Sequence, residues 1–261
     1  MLLVFDIGNT QIKMGVFQNK ALVASWRMTT GNQKTSDEYG VDMLMMLQKE
    51  KINPKDISRV MISSVVPNIM HSFCSAVRNY IGREPMLVAP GIKTGMFIRT
   101  ENPREVGADI LTDAVAAYTL YGGPCVVVDF GTATKYIVVT GKGELIAAVI
   151  SPGLGISADA LVSRTAQLPS VAIRKPASIL TSNTVECIQA GLVYGCIGQV
   201  EYIVARIREE MKEPELKVIA TGGFGKLIAA ETACIDIYDR LLTLKGLQLI
   251  AEKNGSRGGN E

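Results

Sequence analysis

Histidine and tryptophan each occur once in these 261 residues, at His71 and Trp26. One imidazole excludes a histidine metal cluster and any acid–base mechanism that needs two, so carboxylates and backbone amides must carry whatever chemistry there is. Cysteine is sparse too: Cys74, Cys125, Cys187, Cys196 and Cys234 are odd in number, widely spaced and mostly among apolar neighbours, with no CxxC pair. That usage does not suggest zinc and suits reduced thiols in a cytosolic core. No charge of one sign prevails, since 27 Lys and Arg against 25 Asp and Glu leave +2. The net field offers no footprint for nucleic acid or a membrane surface, and a small-molecule ligand is expected. No apolar run approaches the ~18 residues of a membrane helix, and the first, Leu2–Phe5, stops at Asp6. The expectation is a soluble, cytoplasmic chain without a signal peptide.

What is present is a globular balance, 48% hydrophobic and 20% charged, which excludes disorder, collagen-like sequence and a coiled coil as global descriptions. The length suits two domains of roughly 130 residues, so duplication is the first thing to look for. At the N-terminus, LLVF-DIGNT-QIKMGVF sets two strand-type runs around a tight polar turn, the pattern of a hairpin. CVVVDFGTATKYIVV repeats it: Asp6-Ile7-Gly8-Asn9-Thr10 aligns with Asp129-Phe130-Gly131-Thr132-Ala133 at an offset of 123 residues. These residue types suit phosphate. An Asp ending a buried strand presents a carboxylate that can hold Mg²⁺ directly or through water, Gly lets the backbone approach a ligand, and Asn or Thr adds donors beside exposed amides. One such turn is common hairpin punctuation, but two copies after strands at domain spacing point to function.

A third glycine site follows the apolar run Lys217–Ala220, where Thr221-Gly222-Gly223-Phe224-Gly225 leads into a helical-looking KLIAAE. Strand, Gly-Gly turn and helix can place a nucleotide against bare backbone, or simply connect two elements. Helical spacing runs over Ser36–Glu50, from near Val106 to Tyr121, and over Thr184–Met211, while Val60–Val66 is strand-like. Alternating strands and helices in both halves make the fold class α/β. Met43, Met45 and Met46 read as helix packing, Trp26 as core or edge packing, and His71 as a partly exposed structural residue. The end of the chain, 251–261, reads as a disordered tail.

Ten segments stand in one order from residue 1 to about 250: DIGNT (Asp6–Thr10), SSVVP (Ser63–Pro67), GIKTG (Gly91–Gly95), ENPREVGAD (Glu101–Asp109), VDFGTAT (Val128–Thr134), ISPGL (Ile150–Leu154), RTAQLP (Arg164–Pro169), SNTVECIQAGLVYG (Ser182–Gly195), TGG (Thr221–Gly223) and LTLKGL (Leu242–Leu247). The duplicated Asp-x-Gly turn with a late Thr-Gly-Gly resembles the superfamily of actin, Hsp70 chaperones and sugar kinases. Within it, the ten segments resemble one family closely, the type III pantothenate kinases or CoaX family. The resemblance implies duplicated actin/Hsp70/sugar-kinase-like (ribonuclease H-like) α/β domains around an ATP cleft, with halves 1–122 and 123–250. It also implies transfer of the γ-phosphoryl of ATP to pantothenate, giving 4'-phosphopantothenate in the first step of coenzyme A synthesis, by a homodimer needing Mg²⁺ and a monovalent cation, K⁺ or NH₄⁺.

Residue by residue, the resemblance places Asp6, Ile7, Gly8, Asn9, Thr10, Gln11, Ile12 and Lys13 along the ATP phosphates, with Thr132, Gly222 and Gly223 also meeting ATP. Asp6 and Asp129 would organise metal and phosphate, Asp129 at the monovalent-cation site. Asp109 would accept the proton of the substrate hydroxyl. Gly107, Ala108 and Thr184 would lie against pantothenate, with Thr184 near the dimer interface. Histidine is not needed for this, because phosphoryl transfer asks mainly for positioning and charge neutralisation.

The departures cluster on the substrate side. Ile110 replaces the arginine of GADR, which should contact the substrate carboxylate. Thr100 replaces a tyrosine, Phe97 an asparagine, Asp113 an asparagine and Lys135 a threonine, while Ala147-Ala148 replaces Gly-Gly. Three readings follow: a pantothenate kinase in which Arg99, Arg104 or Lys135 compensates, a paralogue acting on another small alcohol, and a weak or inactive nucleotide-binding or regulatory homologue. Lys135 is either a solvated strand residue or an ammonium standing in for the monovalent cation near Asp129.

Overall fold

Leu2–Ile7 and Cys125–Phe130 are strands in which every residue is buried, as continuous apolar runs ending in one Asp-containing turn predict. Each is central to its own sheet. The computed structural model describes residues 1–31 and 34–255. In chain order the elements are β1 (Leu2–Ile7), β2 (Gln11–Gln18), β3 (Ala21–Thr29), α1 (Ser36–Lys49), β4 (Arg59–Ser64), α2 (Pro67–Ala76), β5 (Pro85–Leu87), β6 (Phe97–Ile98) and α3 (Ala108–Tyr121). Then come β7 (Cys125–Phe130), β8 (Ala133–Val139), β9 (Glu144–Pro152), α4 (Leu154–Arg164), α5 (Thr184–Met211), β10 (Lys217–Gly222), α6 (Gly225–Ala229), β11 (Ile237–Tyr238) and α7 (Leu242–Asn254). One unit comprises Met1–Met96, Glu101–Ala116 and the chain from Thr243; the other comprises Phe97–Thr100 and Ala117–Leu242.

The first unit's sheet has the order β3-β2-β1-β4-β5, with β1–β2 and β2–β3 antiparallel and β1–β4 and β4–β5 parallel. Its core forms where Phe73 of α2 meets Phe5 and Tyr39 edge-on, at ring centroids 4.9 and 5.0 Å apart. Thr35 caps α1 with Glu38 in a reciprocal pair of hydrogen bonds, which starts that helix where the sequence does. On α1, Met43 is buried and Met46 packs on the core, whereas Met45 is exposed rather than packed. Trp26 packs on the core edge and His71 is exposed. Residues 251–254, expected in a disordered tail, instead form the last turn of α7, with Ala251 buried. Arg59 donates to the Ala251 carbonyl, and Asn254 both accepts from the Lys93 amide and donates to its carbonyl. Residues 256–261 lie outside the described residues.

The second unit's sheet runs β11-β10-β7-β8-β9-β6. With β6 set aside, its directions repeat those of the first: β7–β8 and β8–β9 antiparallel, β7–β10 and β10–β11 parallel. The repeat seen in one turn is therefore a repeat of whole sheets. The long helix α5 packs Val193, Val200 and Val204 into this unit's core. Among the described residues it is the one helix long and apolar enough to cross a membrane, and half of that window is buried. The five cysteines are free, and burial pushes the Cys125 thiol up to about 12 and the Cys196 thiol up to about 11.

Candidate nucleotide- and substrate-binding residues

The first hairpin turn is built by backbone. Gly8 N–H donates to the Gln11 carbonyl at 3.1 Å, and the Gly8 carbonyl accepts from the Thr30 hydroxyl at 2.6 Å. Ile7 and Ile12 belong to the core, so their side chains are closed to a ligand. Of the stretch from Asp6 to Lys13, that leaves Asp6, Asn9, Thr10, Gln11 and Lys13 to offer polar side chains, with Asn9, Thr10 and Gln11 exposed. Asp6 stands opposite Lys13 on the β1–β2 ladder, and the ammonium lies 3.0 Å from Oδ2.

The second turn is tighter: Gly131 N–H donates to the Ala133 carbonyl at 3.2 Å. Asp129 stands opposite Lys135 on the β7–β8 ladder, with Nζ 2.7 Å from Oδ2. Thr132 is exposed at the tip, and its carbonyl accepts from Gly153 N–H. A Cβ at Gly153 would fall 2.4 Å from that carbonyl and 2.5 Å from the Gly131 carbonyl, so only glycine lets the ISPGL segment lie on this turn. Sequence reasoning assigns the ISPGL motif no role, and the signal that could reveal one is its glycine, Gly153.

In the Thr-Gly-Gly segment, Gly222 has φ +90 and a Cβ there would be 2.6 Å from Phe130 backbone atoms. Gly223 is exposed, and nothing lies within 4 Å of the position of its missing side chain. The helix expected after it is five residues long and the Phe224 amide donates to the Phe130 carbonyl, so the exposed backbone of Gly223, more than a helix dipole, is what the turn offers an anion. Thr221 Oγ1 is buried without a hydrogen-bond partner, as is Thr100 Oγ1. Such atoms need an explanation, and a bound polar ligand is one.

Asp109 sits in the first turn of α3, and its Oδ1 accepts from the Ile110 amide at 2.8 Å. A Cβ on Gly107 would stand 2.6 Å from that oxygen, so Gly107 gives the carboxylate its room. Ala108 starts the helix, and its carbonyl accepts from the Thr112 hydroxyl. Ile110 is half-buried and brings no charge. Asp113, one turn on, is buried. Thr184 is exposed at the start of α5, behind Asn183, whose side chain accepts from the Glu186 amide. Of the cations considered for a substrate carboxylate, Arg99 is bound to Glu144 and Lys135 to Asp129, while Arg104 is exposed in the short turn Pro103–Glu105.

The donor sets at the two aspartates differ in what they can hold. Mg²⁺ binds through one or two carboxylates together with substrate phosphates, so Asp6 fits it although no cluster of three acidic, histidine or cysteine groups occurs among the described residues. A metal arriving on ATP also brings a polyanion to which Lys13 can turn. A lone monovalent cation brings none, and at Asp129 an ammonium already takes the place beside Oδ2 that the ion would take. The monovalent cation expected at Asp129 therefore does not fit these residues.

A model of the type III pantothenate kinase family matches residues 2–206. Solved structures share the architecture over nearly full length. A Campylobacter jejuni protein assigned to the Baf family of transcriptional activators is 18% identical with TM-score 0.56, over 97% of this chain and 98% of that one. A Sinorhizobium meliloti protein assigned as a 2-dehydro-3-deoxygalactonokinase is 12% identical with TM-score 0.56, over 100% and 99%. The activator of 2-hydroxyisocaproyl-CoA dehydratase from Clostridium difficile, solved with ADPNP, is 14% identical with TM-score 0.52, over 100% and 98%. These likenesses show the fold, that of the actin, Hsp70 and sugar-kinase ATPases. Because the family match runs from β1 into α5 and takes in both aspartate turns, Asp109 and Thr184, the chain belongs to the type III pantothenate kinase family, a family of ATP-dependent phosphotransferases.

Proposed function

We propose that this kinase transfers the γ-phosphoryl group of ATP to the primary hydroxyl of pantothenate, giving 4'-phosphopantothenate, the first step of coenzyme A synthesis, as a cytoplasmic homodimer. The observation that carries the reading is Asp109, a carboxylate held at the start of α3 by the Ile110 amide and given room by Gly107. There it accepts the proton of the acceptor hydroxyl as the oxygen attacks. Asn9, Thr10 and Lys13 bind phosphate oxygens in the first unit, and the exposed residues Thr132 and Gly223 suit nucleotide contact in the second. Asp6, together with phosphate oxygens, would hold Mg²⁺, which would supply charge neutralisation on the transferred group. Gly107, Ala108, Thr100 and Thr184 lie against the acceptor, and Arg104 supplies the cation for its carboxylate that position 110 lacks.

Ile110 favours a second reading, a kinase of a small alcohol without a carboxylate. Losing an arginine–carboxylate contact costs on the order of 1.5–3 kcal/mol, or roughly ten- to hundredfold in affinity if nothing replaces it. Coupled ADP release with pantothenate and a panel of small hydroxy acids, alcohols and sugars separates the two. Pantothenate-dependent release supports the first reading, and release only with uncharged alcohols supports the second. Tight ATP binding without acceptor-dependent release rejects both.

A further inference from the structure

The pairing of Asp129 with Lys135 has a counterpart. In each unit the aspartate that ends the central strand faces a lysine across the antiparallel ladder, Lys13 for Asp6 and Lys135 for Asp129. The alignment at the offset of 123 hides this, because it sets Lys135 against Ile12. The second turn, residues 131–133 between Phe130 and Thr134, is one residue shorter than the first, residues 8–11 between Ile7 and Ile12, and the ladders absorb the difference. The duplication thus extends past the Asp-x-Gly turn to a cation opposite each carboxylate.

The two lysines differ in freedom. The Lys13 side chain is 24% exposed at 3.0 Å from an Asp6 side chain 9% exposed; Lys135 is 12% exposed at 2.7 Å from an Asp129 side chain 10% exposed, so the carboxylates are alike and the lysines are not. A carboxylate removed from water to that degree requires a counter-charge, and removing the charge from its side is costly. An ammonium tethered to the neighbouring strand supplies it at no cost in association entropy, whatever the salt in solution. A second, lone cation on the same carboxylate, bringing no phosphate to which the lysine could turn, would be repelled by the first.

We propose that Lys135 is a built-in counter-ion that takes the place of a monovalent cation at Asp129, so that this protein binds nucleotide and turns over without K⁺ or NH₄⁺. The turnover part rests on the phosphotransferase reading; the binding and stability parts do not.

The test compares wild type and Lys135→Thr in chlorides of K⁺, NH₄⁺ and tetramethylammonium at equal ionic strength. It reads the melting temperature without nucleotide, the affinity for ATP by calorimetry, and acceptor-dependent ADP release. For the wild type, the melting temperature is expected to be the same in all three salts, with affinity and rate within about twofold. In tetramethylammonium, Lys135→Thr should melt lower and bind ATP about tenfold or more weakly, and K⁺ should restore both, because the shorter hydroxyl leaves Asp129 unpaired and open to an ion. A wild type that K⁺ stabilises, or whose ATP affinity K⁺ raises about tenfold, overturns the proposal. So does a Lys135→Thr protein that behaves as wild type in every salt, or one whose loss K⁺ does not repair, which would make Lys135 a direct nucleotide contact. If Lys135→Thr does not fold, the wild-type comparison decides. Absence of transfer to any acceptor would reject the enzymatic reading and leave the melting and ATP-affinity measurements to decide this one.

Discussion

Gly107→Ala puts a single methyl group against the carboxylate assigned as base. The new Cβ would lie 2.6 Å from Asp109 Oδ1, where ordinary contact begins near 3.4 Å, so the oxygen must retreat by about 0.8 Å. Rotating the carboxylate away from its hydrogen bond with the Ile110 amide costs about 0.5–1.5 kcal/mol as an off-rotamer side chain, partly offset by the ~0.4–1 kcal/mol that Gly→Ala gains through the unfolded state. Folding should therefore be little changed. Catalysis should suffer more, because a misplacement of about 1 Å costs on the order of a hundredfold in rate. A fall in kcat of roughly 30- to 100-fold is expected, with ATP affinity unchanged because the Asp6–Lys13 pair is untouched. Steady-state ADP release, ATP calorimetry and a thermal melt check the three parts. Gly155→Ala, where no atom lies within 4 Å of the new methyl, serves as the neutral control. A Gly107→Ala enzyme with kcat within twofold of wild type would refute the placement of Asp109 at the chemistry.

Arg104→Ala should raise the KM for pantothenate about tenfold or more with little change in kcat, as loss of a ground-state contact to a carboxylate does; an unchanged KM would favour an uncharged acceptor. Gly222→Ala should cost about 3 kcal/mol or more in a urea titration, since φ +90 and the Phe130 backbone at 2.6 Å both oppose a side chain, and an unshifted midpoint would contradict that geometry. Burial first, and then the hydrogen bond to Asp239, push the Tyr121 phenol up to about 12. Because the folded state holds this proton more tightly than the unfolded chain, whose phenol titrates near ~10, the stability it lends is complete below that pH and is lost as pH climbs toward 12. Urea midpoints should fall across that window and fall less in Tyr121→Phe; equal falls would exclude Tyr121 as a source.

The features visible in the sequence are those written in periodicity or repetition. Buried strands such as CVVVDF, the long α5 and the Asp-x-Gly turns leave a mark in residue order, and each took its place in the structure. β6 and β11, at two residues each, are too short to show a period and exist only because a neighbouring strand pairs with them. The grouping of α7 with the first unit rests on long-range contacts such as a Gly246 so close to the Thr112 backbone that a Cβ would lie 2.3 Å from its carbonyl. In the sequence Lys135 is ambiguous for a similar reason. Which residue it faces depends on ladder register after turns of unequal length, and no alignment of the two turns carries that information.

The central claim, acceptor phosphorylation with Asp109 as base, is tested most directly by coupled ADP release from wild type and Asp109→Asn with ATP, Mg²⁺ and pantothenate. Pantothenate-dependent release by the wild type, abolished in Asp109→Asn while ATP binding persists, is the predicted result. Full turnover by Asp109→Asn, or no pantothenate-dependent release by the wild type, would contradict it.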